Sequence, residues 1–443
     1  MPHATSGPYQ LSGVSMQTWL LRYDEMGACL SPETRSLFLQ KLKDGPSTDV
    51  IVFSHGWNND FDAAIDLYRE FLQRLEALTK QRPPHRPFHP IFLGISWPSE
   101  WLVFDKGPQI AAADGNPGLE TAIATISAQL ERRSADARDR FLALQRRASL
   151  DEAEAMELAQ LLEPLLSGST DDEIGQSESI TAADLLQAAV DEAGGQSLQA
   201  PSADLEDYGS TDSVAAVGPR AAGLFSLLDP RSFVRLFSVY QMKDRAGRVG
   251  AVGIAPFLCH ALSATAARLH AVGHSFGCKV MLSGICAPSS LPRPLASLLL
   301  LQPAISYLSF ATRLPKTTAP GGYRQALDPT RVTPPILSTY SSKDVPLHDT
   351  FHLSLRRKAD LGEARIAAAS AGEPPSPFAA LGGYGPRGAG EKLIDLPSSG
   401  SPLPLAGAPI IGLDGSANLI NGHGDVRSPH TAWAMYQLLF GER

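Results

Sequence analysis

The alternation of apolar and polar residues divides the chain into two kinds of segment. Short, mainly apolar runs are typical of strands buried on both faces of a sheet, and they lie at 50–53, 90–95, 269–272 and 295–301, the first of them β-branched and aromatic throughout. Residues 60–78 instead have apolar positions three or four apart with charges between them, which predicts an amphipathic helix. Strand, helix and strand in this order predict a parallel sheet.

Weaker patterns supply the remaining predicted elements. Further strands are expected at 17–23, 335–340 and 392–396, the last of these being the final strand along the chain. Further helices are expected at 249–267, 276–285 and 429–440. We therefore predict an α/β fold with a mostly parallel central sheet flanked by helices.

Residues 98–232 have a different composition from the rest of the chain. Ala, Glu, Arg, Gln and Leu dominate and β-branched residues are few, which predicts helices rather than strands. We expect an α/β core formed by residues 15–97 and 233–443, with residues 98–232 inserted as a large helical cap.

Local signals within this predicted insertion indicate helix starts and links. Ser149–Glu152 and Thr181–Asp184 fit the capping pattern in which a hydroxyl residue is followed three positions later by an acidic one. Ser, Asp, Gly and Gln dominate at 167–179 and 195–218, which predicts mobile links.

Composition and charge exclude several classes of function. A chain of 443 residues with 43% hydrophobic content can bury a large core. Its 38 basic and 46 acidic residues are interspersed and sum to a net charge of -8, so we expect no nucleic-acid partner. The four cysteines lack C-x-x-C spacing, which argues against a disulfide framework and a zinc site. We expect reduced thiols, no metal and no cofactor.

The first residues and the apolar runs indicate where the protein acts. The amino-terminal segment has no basic stretch followed by an apolar one, so we expect no signal peptide and a cytoplasmic protein. No apolar run approaches the ~20 residues that span a bilayer, so we expect no transmembrane segment. Peripheral membrane contact stays open, and the sequence does not indicate an oligomeric state.

The segment RLHAVGHSFGCKVML, residues 268–282, contains the pattern G-x-S-x-G around Ser275. The residues before it predict a strand and those after it a helix, so Ser275 lies on a sharp strand-to-helix turn. Such a turn crowds the positions two before and two after the serine, which accounts for Gly273 and Gly277. The dipole of the following helix points at this turn, so Ser275 is the candidate nucleophile. A serine in a glycine-rich link that binds a phosphate, or nothing, is the alternative.

A serine nucleophile needs backbone N–H groups that stabilise an oxyanion, and the segment FSHGWNND follows an earlier predicted strand. We expect the N–H groups of Trp57 and Phe276 to be these donors. Gly56 would let the backbone approach the substrate closely, and His55 would brace the loop. The alternative is that His55 and Gly56 only form the turn that closes the strand.

The acid that orients the base should follow the nucleophile in the chain and lie just past a strand. Asp344 has this position after the strand predicted at 335–340. Asp349, which lies further along, is the alternative acid, and Asp344 could instead be a turn or capping residue.

Four histidines follow Ser275 and could serve as the base. His348 and His352 are too close in sequence to the candidate acid to come from the loop after the next strand. His423 lies in a glycine-flanked loop between the last predicted strand and the last predicted helix, where the base is expected. His430, just inside that helix, is its competitor.

Together these segments resemble the α/β-hydrolase superfamily, and more narrowly a group of largely uncharacterised bacterial α/β-hydrolases. The motifs that carry the resemblance are an HG-aromatic-N-N segment at 55–59, a strand ending in S-W-P-S at 96–99 and a G-H-S-x-G elbow at 273–277. The resemblance covers residues 45–99 and 233–440.

The resemblance implies an α/β-hydrolase fold with the nucleophile at Ser275, the acid at Asp344 and the base at His423. The long insertion departs from the group, and inserted caps shape the substrate pockets of such enzymes. We predict a serine hydrolase that cleaves carboxylic esters of a small molecule or lipid. Thioesterases, amidases and acyltransferases would use the same residues. A non-catalytic scaffold whose acidic insertion binds another protein is the alternative from a different class.

Overall fold

A single parallel sheet forms the centre of the fold. The computed structural model describes residues 7–57, 59–99, 117–166, 181–198, 228–315, 318–351 and 379–441. The sheet has eight strands in the order β1-β3-β2-β4-β5-β6-β8-β7, and every neighbouring pair is parallel. The strands are β1 (Gln17–Arg22), β2 (Asp49–Ser54), β3 (Pro90–Ser96), β4 (Arg268–His274), β5 (Ser297–Leu301), β6 (Ile336–Tyr340), β7 (Lys392–Asp395) and β8 (Ile410–Asp414).

Helices cover both faces of this sheet. On β2, Val50 and Val52 face one hydrophobic cluster while Ile51 and Phe53 face the other. Burial on both faces explains why the central strands are continuous apolar runs rather than alternating ones. The helices are α1 (Pro32–Asp44), α2 (Phe61–Gln81), α3 (Pro117–Glu131), α4 (Ala135–Gln145), α5 (Glu152–Leu166), α6 (Ala182–Leu198), α7 (Pro230–Arg248), α8 (Ala255–Ala264), α9 (Phe276–Cys286), α10 (Leu381–Tyr384) and α11 (Pro429–Phe440).

The two faces are covered by different helices. Tyr68 of α2 and Trp433 of α11 belong to the cluster that contains Phe53. Phe38 of α1 and Phe257 of α8 belong to the cluster on the opposite face, together with residues of α9. The amphipathic spacing predicted at 60–78 is confirmed as α2, whose buried positions form one face of the helix.

Helices α3 to α6 lie within the predicted insertion, and they pack on one another and on α7. Phe141 of α4 and Leu158 of α5 share one buried cluster with Phe237 of α7 and Leu282 of α9. The region therefore extends the core on one face of the sheet. Its predicted links at 167–179 and 195–218 lie outside the described residues, apart from the end of α6.

The capping signals in this region were partly correct. The N–H of Thr181 donates to Asp184 Oδ2 at 2.8 Å, and the N–H of Asp184 donates to Thr181 Oγ1 at 3.3 Å, so this capping box is confirmed. Helix α5 begins two residues later than the Ser149 signal predicts. Asp151 Oδ1 accepts from the N–H of Glu154 at 2.8 Å, because an aspartate caps a helix as well as a serine does.

The sheet differs from the prediction at its edge. The strand predicted at 392–396 is found as β7, at the edge of the sheet, but it is not the last strand of the chain. Strand β8 (Ile410–Asp414), which was not predicted, follows it and lies between β7 and β6. The loop that carries His423 therefore follows β8.

One described helix has the length and apolar composition of a membrane span, the continuous segment Pro230–Ala264. It consists of α7, a π-helical turn (Val249–Ile254) and α8. In its most apolar window 56% of the segment is buried, and it packs on α9 and on the helices of the predicted insertion. These contacts are those of a core helix, so the described residues contain no clear transmembrane segment.

A buried ionic network holds the amino-terminal edge of the sheet. Asp49, at the start of β2, accepts hydrogen bonds from Arg86 at 2.8 and 2.9 Å, from Arg268 at 3.1 Å and from His270 Nε2 at 3.1 Å. Burial alone would raise the pKa of Asp49, but these hydrogen bonds outweigh it and hold the pKa well below its usual range. The carboxylate thus ties β2 to β4 and to the connection before β3.

Asp49→Ala should lower the free energy of unfolding by about 3 kcal/mol, because it leaves the cationic partners of a buried carboxylate unpaired. Chemical or thermal unfolding at neutral pH measures this change. The control is Asp66→Ala, which removes a partly exposed ion pair with Arg69 and should cost less than about 1 kcal/mol. Equal effects of the two substitutions would contradict a structural role for the network.

Candidate functional site

The candidate site lies where the carboxyl ends of six strands meet. In open parallel sheets this edge is where ligands bind. Each strand end contributes one residue: His55 after β2, Trp97 after β3, Ser275 after β4, Gln302 after β5, Asp344 after β6 and His423 after β8.

Ser275 lies between β4 and α9 in a backbone conformation that side chains rarely adopt, with φ 54° and ψ −125°. The turn brings its neighbours into close contact. A Cβ on Gly273 would lie 2.6 Å from the Cα of Cys278, and a Cβ on Gly277 would lie 2.2 Å from the carbonyl oxygen of Ser54. Both positions therefore require glycine, in agreement with the crowding predicted for a strand-to-helix elbow.

Two hydrogen bonds join Ser275, His423 and Asp344. His423 Nε2 lies 2.8 Å from Ser275 Oγ, and His423 Nδ1 lies 2.9 Å from Asp344 Oδ2. An ionised carboxylate only accepts, so Nδ1 carries the ring proton and Nε2 accepts from the serine hydroxyl. Asp344 is fully buried, whereas 11% of the His423 side chain is exposed. The imidazole is thus placed to remove the hydroxyl proton of Ser275.

The other candidates for the acid and the base lie elsewhere or outside the described residues. His430 is in the first turn of α11, and its Nδ1 has no hydrogen-bond partner among the described residues. The ring of His348 stacks on Tyr384 with 4.3 Å between their centroids. His352 and the side chain of Asp349 lie outside the described residues.

The loop after β2 approaches Ser275 so closely that residue 56 must be glycine. A Cβ on Gly56 would lie 2.7 Å from the Cβ of Ser275. The carbonyl oxygen of Gly56 is held from two sides, by His55 Nδ1 at 2.9 Å and by Asn59 Nδ2 at 3.2 Å. In a trans peptide the carbonyl and the next N–H point in opposite directions, so the N–H of Trp57 points away from these two side chains.

The end of β3 fixes this loop through a set of hydrogen bonds. The N–H of Trp97 donates to His55 Nε2 at 3.3 Å. Because Nε2 accepts, the ring proton of His55 is on Nδ1, which donates to the carbonyl oxygen of Gly56. The Trp97 indole N–H donates to the His55 carbonyl at 3.0 Å, and the two rings stack. The hydroxyl of Ser99 donates to the carbonyl of Asn59 at 2.8 Å. His55, Gly56 and Asn59 therefore form one hydrogen-bonded unit with Trp97 and Ser99.

The start of α9 supplies a further backbone donor and an apolar surface. The N–H of Phe276 is in the first helical turn, where it has no acceptor within the helix and lies at the positive end of the helix dipole. The ring of Phe276 lies 5.9 Å from that of Trp57 and 6.5 Å from that of Phe351, measured between centroids. These three rings, named here the aromatic wall, pack on one another around Phe276, the residue directly after Ser275.

Sequence reasoning missed two side chains that hold the loop of His423. Gln302 Nε2 donates to Asp344 Oδ2 at 2.6 Å and to the carbonyl oxygen of Gly422 at 2.9 Å. His274 Nε2 donates to the carbonyl oxygen of His423 at 3.0 Å. His274 directly precedes the candidate nucleophile, which was a usable signal, whereas Gln302 had only its position directly after β5.

Two histidines of the site are neutral at neutral pH. Burial lowers the pKa of His55 to about 4. Burial, with the charge of neighbouring His423 as the second cause, lowers the pKa of His274 to about 3. Neither ring adds positive charge to the surroundings of His423.

A second serine–histidine–aspartate chain lies at the opposite edge of the sheet. His270 Nδ1 lies 2.8 Å from Ser297 Oγ, and its Nε2 lies 3.1 Å from Asp49 Oδ1. All three residues are buried at the amino-terminal ends of their strands, away from the elbow, so this chain belongs to the structural network of Asp49.

The described residues contain no group of three or more His, Cys, Asp or Glu side chains that could hold a metal ion.

The parallel sheet flanked by helices, with a strained serine turn at its carboxyl edge, has the α/β-hydrolase fold. A family model described as "Alpha/beta hydrolase of unknown function (DUF900)" matches residues 31–135, a stretch that includes the loop after β2 and the end of β3. Ser275, Asp344 and His423 lie outside the matched stretch. Searches of curated proteins and of solved structures found no match.

Gly277→Ala should lower the melting temperature by several degrees, because the added Cβ would collide with the backbone of the loop after β2. The matched control is Gly424→Ala, where a Cβ would meet nothing within 4 Å. Differential scanning fluorimetry of both variants measures the effect. A stable Gly277→Ala variant would contradict the close approach of the two turns.

The free energy of unfolding should fall as the pH falls from about 6.5 towards 4. Unfolded histidines take up protons near pH 6.5, whereas His55 and His274 do so only near 4 and 3, so acid favours the unfolded state. Each histidine contributes up to about 1.4 kcal/mol per pH unit in this window. Urea unfolding at pH 7 and pH 5 measures the loss. His274→Gln should reduce the difference between the two pH values, and an unchanged difference in this variant would contradict the lowered pKa of His274.

Proposed function

We propose that the protein is a serine hydrolase that cleaves carboxylic esters. The observation that carries the proposal is the hydrogen-bonded chain from Ser275 through His423 to Asp344, with distances of 2.8 and 2.9 Å, set on a strained turn at the carboxyl edge of the sheet. Ser275 is the nucleophile, His423 the general base and acid, and Asp344 the group that orients His423 and stabilises its cation.

The reaction has two stages. His423 Nε2 takes the hydroxyl proton of Ser275 as Oγ bonds to the ester carbonyl carbon, and the same imidazolium returns that proton to the departing alcohol. Water then attacks the acyl-enzyme with His423 again as base, which releases the acid and restores the serine hydroxyl.

Backbone N–H groups from two turns stabilise the oxyanion in this proposal. The N–H of Trp57 comes from the loop whose Gly56 carbonyl is fixed by His55 and Asn59, and the N–H of Phe276 comes from the first turn of α9. Because the hydrogen bonds to Gly56 already fix the peptide, little reorganisation is needed when charge develops.

The surroundings of Ser275 favour an apolar acyl group. Trp57, Phe276 and Phe351 form an aromatic wall beside the serine, which suits a hydrocarbon chain better than a charged group. The wall bears on the acyl group and not on the leaving group, so thioesters and amides would meet the same residues, and the ester is the member of this set that we propose. A role of the insertion in shaping the substrate pocket and contact with a membrane surface stay predictions.

The intact geometry favours an enzyme over a binding scaffold. A hydrolase fold that has become a scaffold has no need to keep the nucleophile and base in contact. His423 Nε2 and Ser275 Oγ are at hydrogen-bond distance. The loop of His423 is held by His274 and Gln302, and the N–H of Ser275 donates to the carbonyl oxygen of Leu301 in β5 at 3.0 Å.

A fluorophosphonate probe tests the proposal directly. The wild type should be labelled at Ser275, and Ser275→Ala should not be labelled. His423→Ala should reduce the rate of hydrolysis of short p-nitrophenyl esters by roughly 10⁴-fold or more, because the serine then lacks its base.

The control for the base is His430→Ala, which should be labelled at the wild-type rate. Loss of labelling in His430→Ala with labelling retained in His423→Ala would reverse the assignment of the base. Wild-type protein that takes up no probe, or Ser275→Ala that takes it up, would overturn the proposed function. A panel of esters of increasing acyl length then measures whether the aromatic wall selects apolar acyl groups.

A further inference from the structure

We propose that Gln302 is a positioning residue that locks the carboxylate of Asp344 and the loop of His423 into one geometry. The inference rests on the proposed function, because it concerns how the same site is held. Gln302 directly follows β5, and it is fully buried.

The amide of Gln302 bridges the two halves of the candidate acid–base pair. Nε2 lies 2.6 Å from Asp344 Oδ2 and 2.9 Å from the carbonyl oxygen of Gly422, the residue before His423. Asp344 Oδ2 also accepts the hydrogen bond from His423 Nδ1 at 2.9 Å. One oxygen of the carboxylate therefore receives both donors, and this fixes the direction in which it faces the imidazole.

The chemistry of the two acceptors determines which way the amide is turned. A carboxylate oxygen and a peptide carbonyl both accept hydrogen bonds, so only the NH₂ end of Gln302 can face them. Both N–H groups are then used, one towards Asp344 and one towards Gly422. No hydrophobic side chain and no hydroxyl can make these two donations at once.

The loop of His423 is held by its own Asp425, whose N–H donates to the carbonyl oxygen of Gly422 at 3.1 Å, and by anchors from outside the loop. Gly422 and Gly424 flank the histidine, and a Cβ on either would meet nothing within 4 Å. Gln302 holds the carbonyl before His423 and His274 Nε2 holds the carbonyl after it, at 2.9 and 3.0 Å. The peptide groups on both sides of the histidine are thus fixed by side chains from β4 and β5.

Two features of Gln302 are unfavourable for a glutamine, its backbone conformation and the lack of a partner for its side-chain oxygen. Its φ is 43°, in the left-handed region that favours glycine, and its buried Oε1 has no hydrogen-bond partner among the described residues. A residue chosen only for packing would avoid both. The two donations to Asp344 and Gly422 account for a glutamine at this position.

The test compares Gln302→Leu with Gln145→Leu, a matched control. Gln145 is also buried, also donates Nε2 to a carbonyl (of Pro230, at 3.3 Å) and also has a buried Oε1 without a described partner, but it lies on α4. Gln302→Leu should slow p-nitrophenyl ester hydrolysis by on the order of 10- to 100-fold in kcat with little change in KM, because His423 is misplaced rather than removed. Gln145→Leu should leave kcat at the wild-type value, whatever it does to the melting temperature.

A second substitution and a second readout separate positioning from mere stability. Gln302→Glu places a second carboxylate against Asp344 Oδ2, and its added negative charge should move the acidic limb of the kcat/KM profile to higher pH. The low-field proton NMR signal of His423 Nδ1–H reports the hydrogen bond to Asp344 without any turnover. It should shift or disappear in Gln302→Leu and stay unchanged in Gln145→Leu.

The outcomes distinguish this inference from the proposed function. An unchanged low-field signal in Gln302→Leu, or wild-type kcat in that variant, would overturn the role of Gln302. If the wild type neither labels nor hydrolyses esters, the proposed function fails, and the NMR signal alone still decides whether Gln302 holds the histidine.

Discussion

Parallel strands bring all their carboxyl ends to one edge of a sheet, and this constraint places every residue of the candidate site. His55, Ser275, Asp344 and His423 are distant in sequence, yet each follows a strand of the same sheet. The continuous apolar strands are what permit the arrangement, because a parallel sheet must be buried on both faces. The parallel direction of the strands therefore determines both the burial of the sheet on two faces and the position of the site residues at one edge.

The site is held by contacts between strand ends rather than by any single loop. The loop after β2 is fixed by Trp97 and Ser99 at the end of β3, and the loop after β8 is fixed by Gln302 and His274 at the ends of β5 and β4. Unfavourable backbone conformations persist in proteins only where the surroundings determine them from several directions. The strained turn at Ser275 has such surroundings on both sides.

Short-range patterns sufficed for much of this structure. The buried strands were predicted from continuous apolar runs, and α2 was predicted from apolar positions three or four residues apart. Ser275, Asp344 and His423 were named because each follows a predicted strand in the expected order along the chain. Strand β8 was missed because its short run IIGLD lies within residues 397–416, a stretch rich in Gly, Pro and Ser that is typical of loops. The role of Gln302 could not be predicted, since a glutamine acquires it only from acceptors that folding brings from residues 344 and 422.

The packing of α7 limits how such a chain can diversify. This helix is buried on nearly all sides, with α9 against it and the helices of residues 117–198 around it. A deletion of those helices would expose the buried phenylalanine and leucine side chains of α7 as one apolar patch, which would promote aggregation. A shortened form of the chain would therefore need polar substitutions on α7 to stay in solution.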